Sequence, residues 1–298
     1  MDTEDKIQWH EGFFAGIEWE LRKYKTDLVF DTEYQLSKKA LEIDMLVIQK
    51  TEGIQIEVPF GKIFRKYNII EYKSPDDGLT IDDFFKSIGY ACLYKGLGET
   101  VNAIPGDELT VSMFCYHHPR KAFSYLTQTG AAVREAYSGI YYIENFMRIP
   151  IQVVVTQELE WSNNHSLRLL TRRAGEAEMR EYLEESDLLT EPGDMDNASA
   201  VLRVCIAANP ETFEKVRRGF SMSQDQILRR VLHDLIEEGE AKGRAEGEAK
   251  GRAESKAEVV AQMLRESVPV KMITKWTQVS AEKIVEIAQS IGVMPVID

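Results

Sequence analysis

Two carboxylates and one ammonium stand in a chain order that suits metal-assisted chemistry. In Tyr67-Asn68-Ile69-Ile70-Glu71-Tyr72-Lys73, a run of β-forming residues, Glu71 and Lys73 are two apart and project from one face of a strand. In Leu41-Glu42-Ile43-Asp44-Met45-Leu46-Val47-Ile48, Asp44 interrupts an otherwise apolar strand. A buried, unpaired carboxylate is costly, so Asp44 demands a cation, a metal or hydrogen-bond donors. If the two strands pair, Asp44, Glu71 and Lys73 converge on one patch. Such a patch suits a hard divalent cation, because Mg²⁺ takes one or two carboxylates together with waters and phosphate oxygens. The competing reading is an exposed Glu71–Lys73 pair, with Asp44 bridged to an arginine.

The elements that must position these groups follow from hydrophobic periodicity. Residues 9–24 predict an amphipathic helix with Phe13, Phe14, Ile17 and Leu21 on one stripe. Strands are expected at 28–36, 40–49 and 67–73, followed by the turn-forming run Ser74-Pro75-Asp76-Asp77-Gly78. Thr80 with Asp83 three residues on predicts a capped helix reaching residue 95. Residues 109–116, 140–143 and 149–159 read as further strands and 122–128 as a short helix. The whole is an α/β or α+β domain over residues 1–160.

Beyond Trp161 strand signals vanish, and helices are expected at 167–189, 196–209 and 213–218, a helical extension over 161–235. Pro192-Gly193 and Asn209-Pro210 punctuate it. The octet GEAKGRAE then occurs twice in succession, with Glu240–Arg244 and Glu248–Arg252 in the favourable i,i+4 order. Residues 236–258 thus read as a charged Gly/Ala helix, either a spacer or a dimer stalk. Residues 259–298 read as a small helical module.

The net charge of −13 opposes nucleic-acid binding, because phosphate contacts supply much of that affinity. Charge acts locally, however. Acid concentrates in segments such as 176–187, and a bound divalent cation reverses the field of a carboxylate site. The three cysteines are far apart and not in metal-ligand spacing, which predicts reduced thiols in a cytoplasmic protein. An acidic N-terminus without an apolar run predicts no signal peptide, and no stretch is long and apolar enough for a membrane span. His117-His118-Pro119 lacks a third ligand and reads as a strand-to-helix turn. His10 and His165 read as surface or boundary residues, and Tyr141-Tyr142 and Trp161 as core or sheet edge. Arg65-Lys66, Lys38-Lys39 and Arg172-Arg173 are either contacts to DNA backbone or solvated surface.

The ordered set is more specific than any pair in it: Glu18 on a helix, Asp44 on an apolar strand, Glu71-x-Lys73 ending a second strand, then a capped helix. It resembles the PD-(D/E)xK nuclease superfamily. The segments Gly61-Lys62-Ile63-Phe64-Arg65-Lys66-Tyr67 through Pro75, and Phe84-Phe85-Lys86-Ser87-Ile88-Gly89-Tyr90, are similar to a bacterial branch related to the Rpn recombination-promoting nuclease and putative transposase proteins. The resemblance covers roughly residues 8–160. It implies a restriction-endonuclease-like core, a central mixed sheet flanked by helices, followed here by the all-helical C-terminal extension. It further implies Asp44 and Glu71 as ligands of Mg²⁺ or Mn²⁺, with the backbone carbonyl of Tyr72 as a third. Lys73 would position the attacking water and steady phosphate charge. Glu18 would reach the metal directly or through water, and Lys86 or Tyr90 would touch the scissile phosphate. Ile43 stands where the motif name has proline. The expected activity is a DNA endonuclease of recombination or mobile-element type, with DNA as partner. Two alternatives remain: a non-catalytic interaction protein forming a homo-oligomer through its helical tail, and a regulator binding DNA through residues 259–291.

Overall fold

The computed structural model describes residues 7–35, 42–49, 51, 53–219 and 226–296. It divides into two compact units, Met1–Val231 and Leu232–Asp298.

The first unit opens with helix α1 (Trp9–Glu20) and a short 3-10 turn, followed by strands β1 (Leu28–Gln35), β2 (Glu42–Gln49) and β3 (Tyr67–Lys73). Helix α2 (Ile81–Gly96), β4 (Leu109–Cys115) and α3 (Arg120–Gln128) come next, then β5 (Ala132–Tyr137), β6 (Ile140–Glu144) and β7 (Ile151–Val155). The strands form one mixed sheet in the order β1-β2-β3-β4-β7-β6-β5. β3, β4 and β7 run parallel in its centre, and antiparallel pairs flank them on both sides. The expected α/β architecture of a mixed sheet between helices is therefore present. β4 and β7 are buried along their whole length, as parallel strands covered on both faces must be.

On one face Ile69, Val111, Met113, Cys115, Val153 and Val155 pack with Phe84 and Ile88 of α2 and Phe123 and Leu126 of α3. On the other, Phe13 of α1 stacks on Tyr72 with ring centroids 4.0 Å apart and meets Phe114 edge-on at 5.2 Å. Buried amides anchor the connection before β3. Asn68 Nδ2 donates to the carbonyls of Val47 and Arg65, and Gln152 Nε2 donates to that of Phe60.

After β7 come α4 (His165–Leu169), α5 (Glu176–Ser186), α6 (Pro192–Ala208) and α7 (Pro210–Gly219). The expected step at residue 160 is a change of secondary structure and not a separation of units, since the first unit runs on to Val231. The cause lies in α1, which is apolar on both sides. Phe13 faces the sheet, while Gly12 admits α6 so closely that a Cβ there would lie 2.7 Å from Val204 Cγ2. A helix buried on both sides needs a second cover, and α6 supplies it.

Three local expectations are corrected. The single helix over 167–189 is two, because the chain turns at 171–174 to be tied by Asn209: its Oδ1 accepts from Ala174 N–H, and its Nδ2 donates to the Thr171 carbonyl. β5, an edge strand reading Ala-Val-Arg-Glu-Ala-Tyr, escaped prediction because its charged residues suit an edge better than an apolar pattern. Its hairpin to β6 turns at Gly139, where φ is +72° and an added Cβ would lie 2.8 Å from the Glu158 backbone, so no side chain fits. Residues 259–264 are the end of α8 (Gln226–Arg265), so the repeat and the segment after it form one helix of 40 residues.

In the second unit the end of α8 packs with α9 (Val270–Thr277) and α10 (Ala281–Ser290) through Val260, Leu264, Ile273, Ile284 and Ala288. Among the described residues no helix is long and apolar enough to cross a membrane.

Gly12→Ala tests the α1–α6 closeness. The added methyl overpacks the seam, and the urea midpoint should fall by the equivalent of about 1–3 kcal/mol at unchanged slope.

Candidate functional site

The β2–β3 ladder runs from Ile48↔Tyr67 to Met45↔Ile70 and stops there. On the other side of β2, the pairing with β1 passes from Thr32↔Met45 to Tyr34↔Ile43, skipping Glu33, which is held at φ +56°. Asp44 therefore lies where regular pairing lapses on both flanks. The Tyr72 N–H donates to Asp44 Oδ2 at 2.7 Å instead of to a β2 carbonyl. In a strand a residue's N–H and C=O face the same neighbour, so the Tyr72 carbonyl is turned to the Asp44 side as well.

Continuing the register by one step sets Glu71 opposite Asp44. Glu71 is 8% exposed, and its Oε1 is buried without a hydrogen-bond partner. Burial, and after it the neighbouring Asp44 charge, pushes the Glu71 carboxyl up to about 8. Burial also raises Asp44, against the pull of the Tyr72 N–H and of His10, Lys86 and Lys73. Two acids are thus held side by side, Glu71 buried and Asp44 about a quarter exposed, with one Glu71 oxygen unsatisfied.

The basic side chains around them come from two helices and β3 itself. Lys73 Nζ lies 2.7 Å from Asp83 Oδ1, and Asp83 also closes the capping box of α2 with Thr80. The lysine at the end of β3 is thereby fastened to the start of the next helix. One turn on, Lys86 lies over the Tyr90 ring at 5.1 Å. The Tyr90 hydroxyl, and behind it the charges of Glu71 and Asp44, favour its protonated form. Lys86 and Tyr90 thus form one unit that acts on the carboxylate pair.

The sequence reading missed His10. Its Nε2 is 3.9 Å from Asp44 Oδ2, and its ring meets the edge of Tyr72 at 5.4 Å. Only the seat of α1 on the sheet reveals this role, since a histidine in a first helical turn carries no such signal. Glu18, by contrast, is not at the site. Eight residues beyond His10 it lies about 12 Å further along the helix axis, and its Oε2 accepts from Asn197 Nδ2 of α6 at 3.2 Å. The acid expected from α1 belongs to the α1–α6 seam.

Several of the remaining sequence candidates have structural partners. Arg172 binds Asp76 through two nitrogens at 2.6 and 2.7 Å, and Trp9 Nε1 donates to the same carboxylate at 2.9 Å, fastening the turn after β3 to α1. Lys66 faces Glu108 at 3.9 Å, and Trp161 Nε1 donates to Glu181. His165 Nδ1 is bonded to Glu185 at 2.5 Å, in a polar cluster with Arg22 that lines a cavity of about 290 Å³. Lys38 and Lys39 lie outside the described residues.

Asp44 and Glu71 fit a divalent cation by their chemistry and by the unsatisfied Oε1. Among the described residues no three His, Cys, Asp or Glu side chains form a metal cage. The donor set is two carboxylates and a carbonyl, an open arrangement of the kind Mg²⁺ occupies while keeping waters. No protein-family model, no curated protein and no solved structure matches this chain.

The raised Glu71 sets a sign for pH dependence. Its folded value near 8 exceeds the ordinary 4.5, so its contribution to stability is full below about 4.5 and lost as pH rises through about 8. In EDTA the wild-type protein should lose stability from pH 5 to 9. Glu71→Gln should flatten that slope and be the more stable form at pH 9, as read by urea unfolding.

Proposed function

We propose that the protein is a divalent-cation-dependent DNA endonuclease that hydrolyses phosphodiester bonds, of the recombination or mobile-element type that the resemblance to PD-(D/E)xK nucleases implies. The observation that carries this reading is the desolvated Asp44–Glu71 pair with an orphaned Glu71 oxygen. A bound cation would satisfy that oxygen.

Asp44, Glu71 and the Tyr72 carbonyl are the groups that would hold Mg²⁺ or Mn²⁺. When bound, the cation polarises the phosphoryl oxygen and lowers the pKa of a bound water. The Tyr72 N–H fixes the orientation of Asp44, so that carboxylate is held in place before any reaction. Lys73, held by Asp83, and Lys86, braced on Tyr90, offer positive charge to the phosphate and to the charge that develops on it. These cations also supply a local attraction for DNA that the net charge of the chain does not.

Purified protein should nick plasmid DNA in Mg²⁺ or Mn²⁺ and not in EDTA. Asp44→Ala, Glu71→Ala and Lys73→Ala should each lower the rate by about 100-fold or more. Activity surviving in both Asp44→Ala and Lys73→Ala would refute the assignment.

The rival reading, a non-catalytic scaffold that self-associates through its tail, draws on the acidic balance and on the 40-residue α8. It expects no Mn²⁺-dependent thermal shift, and it expects a loss of self-association on truncation near Gly239.

A further inference from the structure

Helix α2 is covered on one side only. Phe84, Ser87, Ile88, Ala91 and Tyr94 are buried on the side that faces the sheet. The opposite side of a surface helix is ordinarily polar. Here Phe85, Leu93 and the C-cap residue Leu97 are 46, 48 and 48% exposed. With Gly89 they fall at intervals of four and form one ridge along the helix. Phe85 leans on Phe146, with ring centroids 5.7 Å apart. A Cβ built at Gly89 or Gly96 would meet nothing within 4 Å, so no described part of the chain lies over the ridge there.

Such an apolar ridge marks a surface that another protein covers. A membrane surface suits it poorly, because the exposed Asp82 and Lys86 stand on the same face. The charges and the glycines favour a second copy of this chain. Residues 82, 89 and 96 are seven apart and follow the centre line of the face, where Gly89 and Gly96 allow a close approach. In an antiparallel copy that crosses at Gly89, Phe85 of each helix comes level with Leu93 of the other, and Asp82 with Gly96. Asp82 in the first turn then faces the end that carries Lys95, and the two helix dipoles oppose. A parallel copy would instead set Asp82 beside Asp82 and Lys86 beside Lys86.

We propose that two copies of this chain form a homodimer through their α2 helices, packed antiparallel about a two-fold axis at Gly89. A two-fold interface uses the same patch on both copies, so each contact is made twice. Phe85, Leu93 and Leu97 supply its apolar part, and Asp82 and Lys95 its charged ends. Lys86 and Tyr90 stand on the flank of the same helix, so the interface borders the candidate site without using its carboxylates. Self-association is expected from the sequence only in the charged tail. An exposed ridge on a helix that is also buried on its other side merges into one apolar pattern and gives no separate signal.

Of the three cysteines only Cys92 is exposed, and it lies on this face beside Leu93, so its thiol reports directly on whether the face is covered. Sedimentation velocity of the full chain should show a monomer that becomes a dimer at micromolar concentration. Over the same range the rate at which a maleimide labels Cys92 should fall by about 10-fold or more, because a covered thiol is out of reach. Leu93→Glu places a charge in the apolar part of the face. It should raise the dimer Kd by about 30-fold or more and restore fast labelling, with circular dichroism unchanged. A wild-type chain that stays monomeric overturns the proposal. So does a dimer whose Cys92 is labelled at the monomer rate, which would assign self-association to another surface such as α8. Neither measurement depends on DNA cleavage, so the nuclease reading stands or falls separately.

Discussion

Burial of two carboxylates beside each other is the constraint around which this fold is arranged. Water reaches only about a quarter of the Asp44 side chain and little of Glu71, so compensation comes largely from groups set in place by the backbone. The Tyr72 N–H is the first of these. It is free to bind a side chain only because β2 and β3 stop pairing at Met45. The lapse in the ladder, the hydrogen bond and the raised acidity are thus one feature seen at three levels. The buried Glu71 oxygen keeps no hydrogen-bond partner among the described residues.

The charges that answer the pair come from elements with other duties. Lys73 is restrained by an aspartate that also caps α2, Lys86 by a tyrosine one turn along that helix, and His10 by the packing of α1 on Tyr72. A chain of net charge −13 can therefore set two lysines beside a pair of acids. Its long-range field still repels polyanions, so association with DNA would be slow at low ionic strength and helped by divalent ions.

The central sheet was legible because its strands carry strong patterns: continuous apolar runs for buried strands, and Thr80 with Asp83 for the cap of α2. Glu71 and Lys73 shared a face by strand alternation alone. What escaped depended on contacts distant in sequence. β5 is an edge strand without an apolar stripe, and the break near residue 172 is imposed by Asn209 from another helix. His10 entered the site, and Glu18 left it, because the axial placement of α1 is set by α6 and by the Asp76–Arg172 pair. Helical periodicity reveals which side of a helix is buried, but not how far along the sheet the helix sits.

The small residue at position 12 carries a consequence in time. Every group of the candidate site lies before residue 160, yet α1 is covered by Val204 and stapled through Arg172. A ribosome adds the intervening residues up to 209 in about 3–10 s. During that interval the emerging chain has its sheet and both carboxylates, but not the far wall that seats α1. Completion of the site is coupled to near-completion of the first unit, so incomplete chains ending between the two would carry the residues without their geometry.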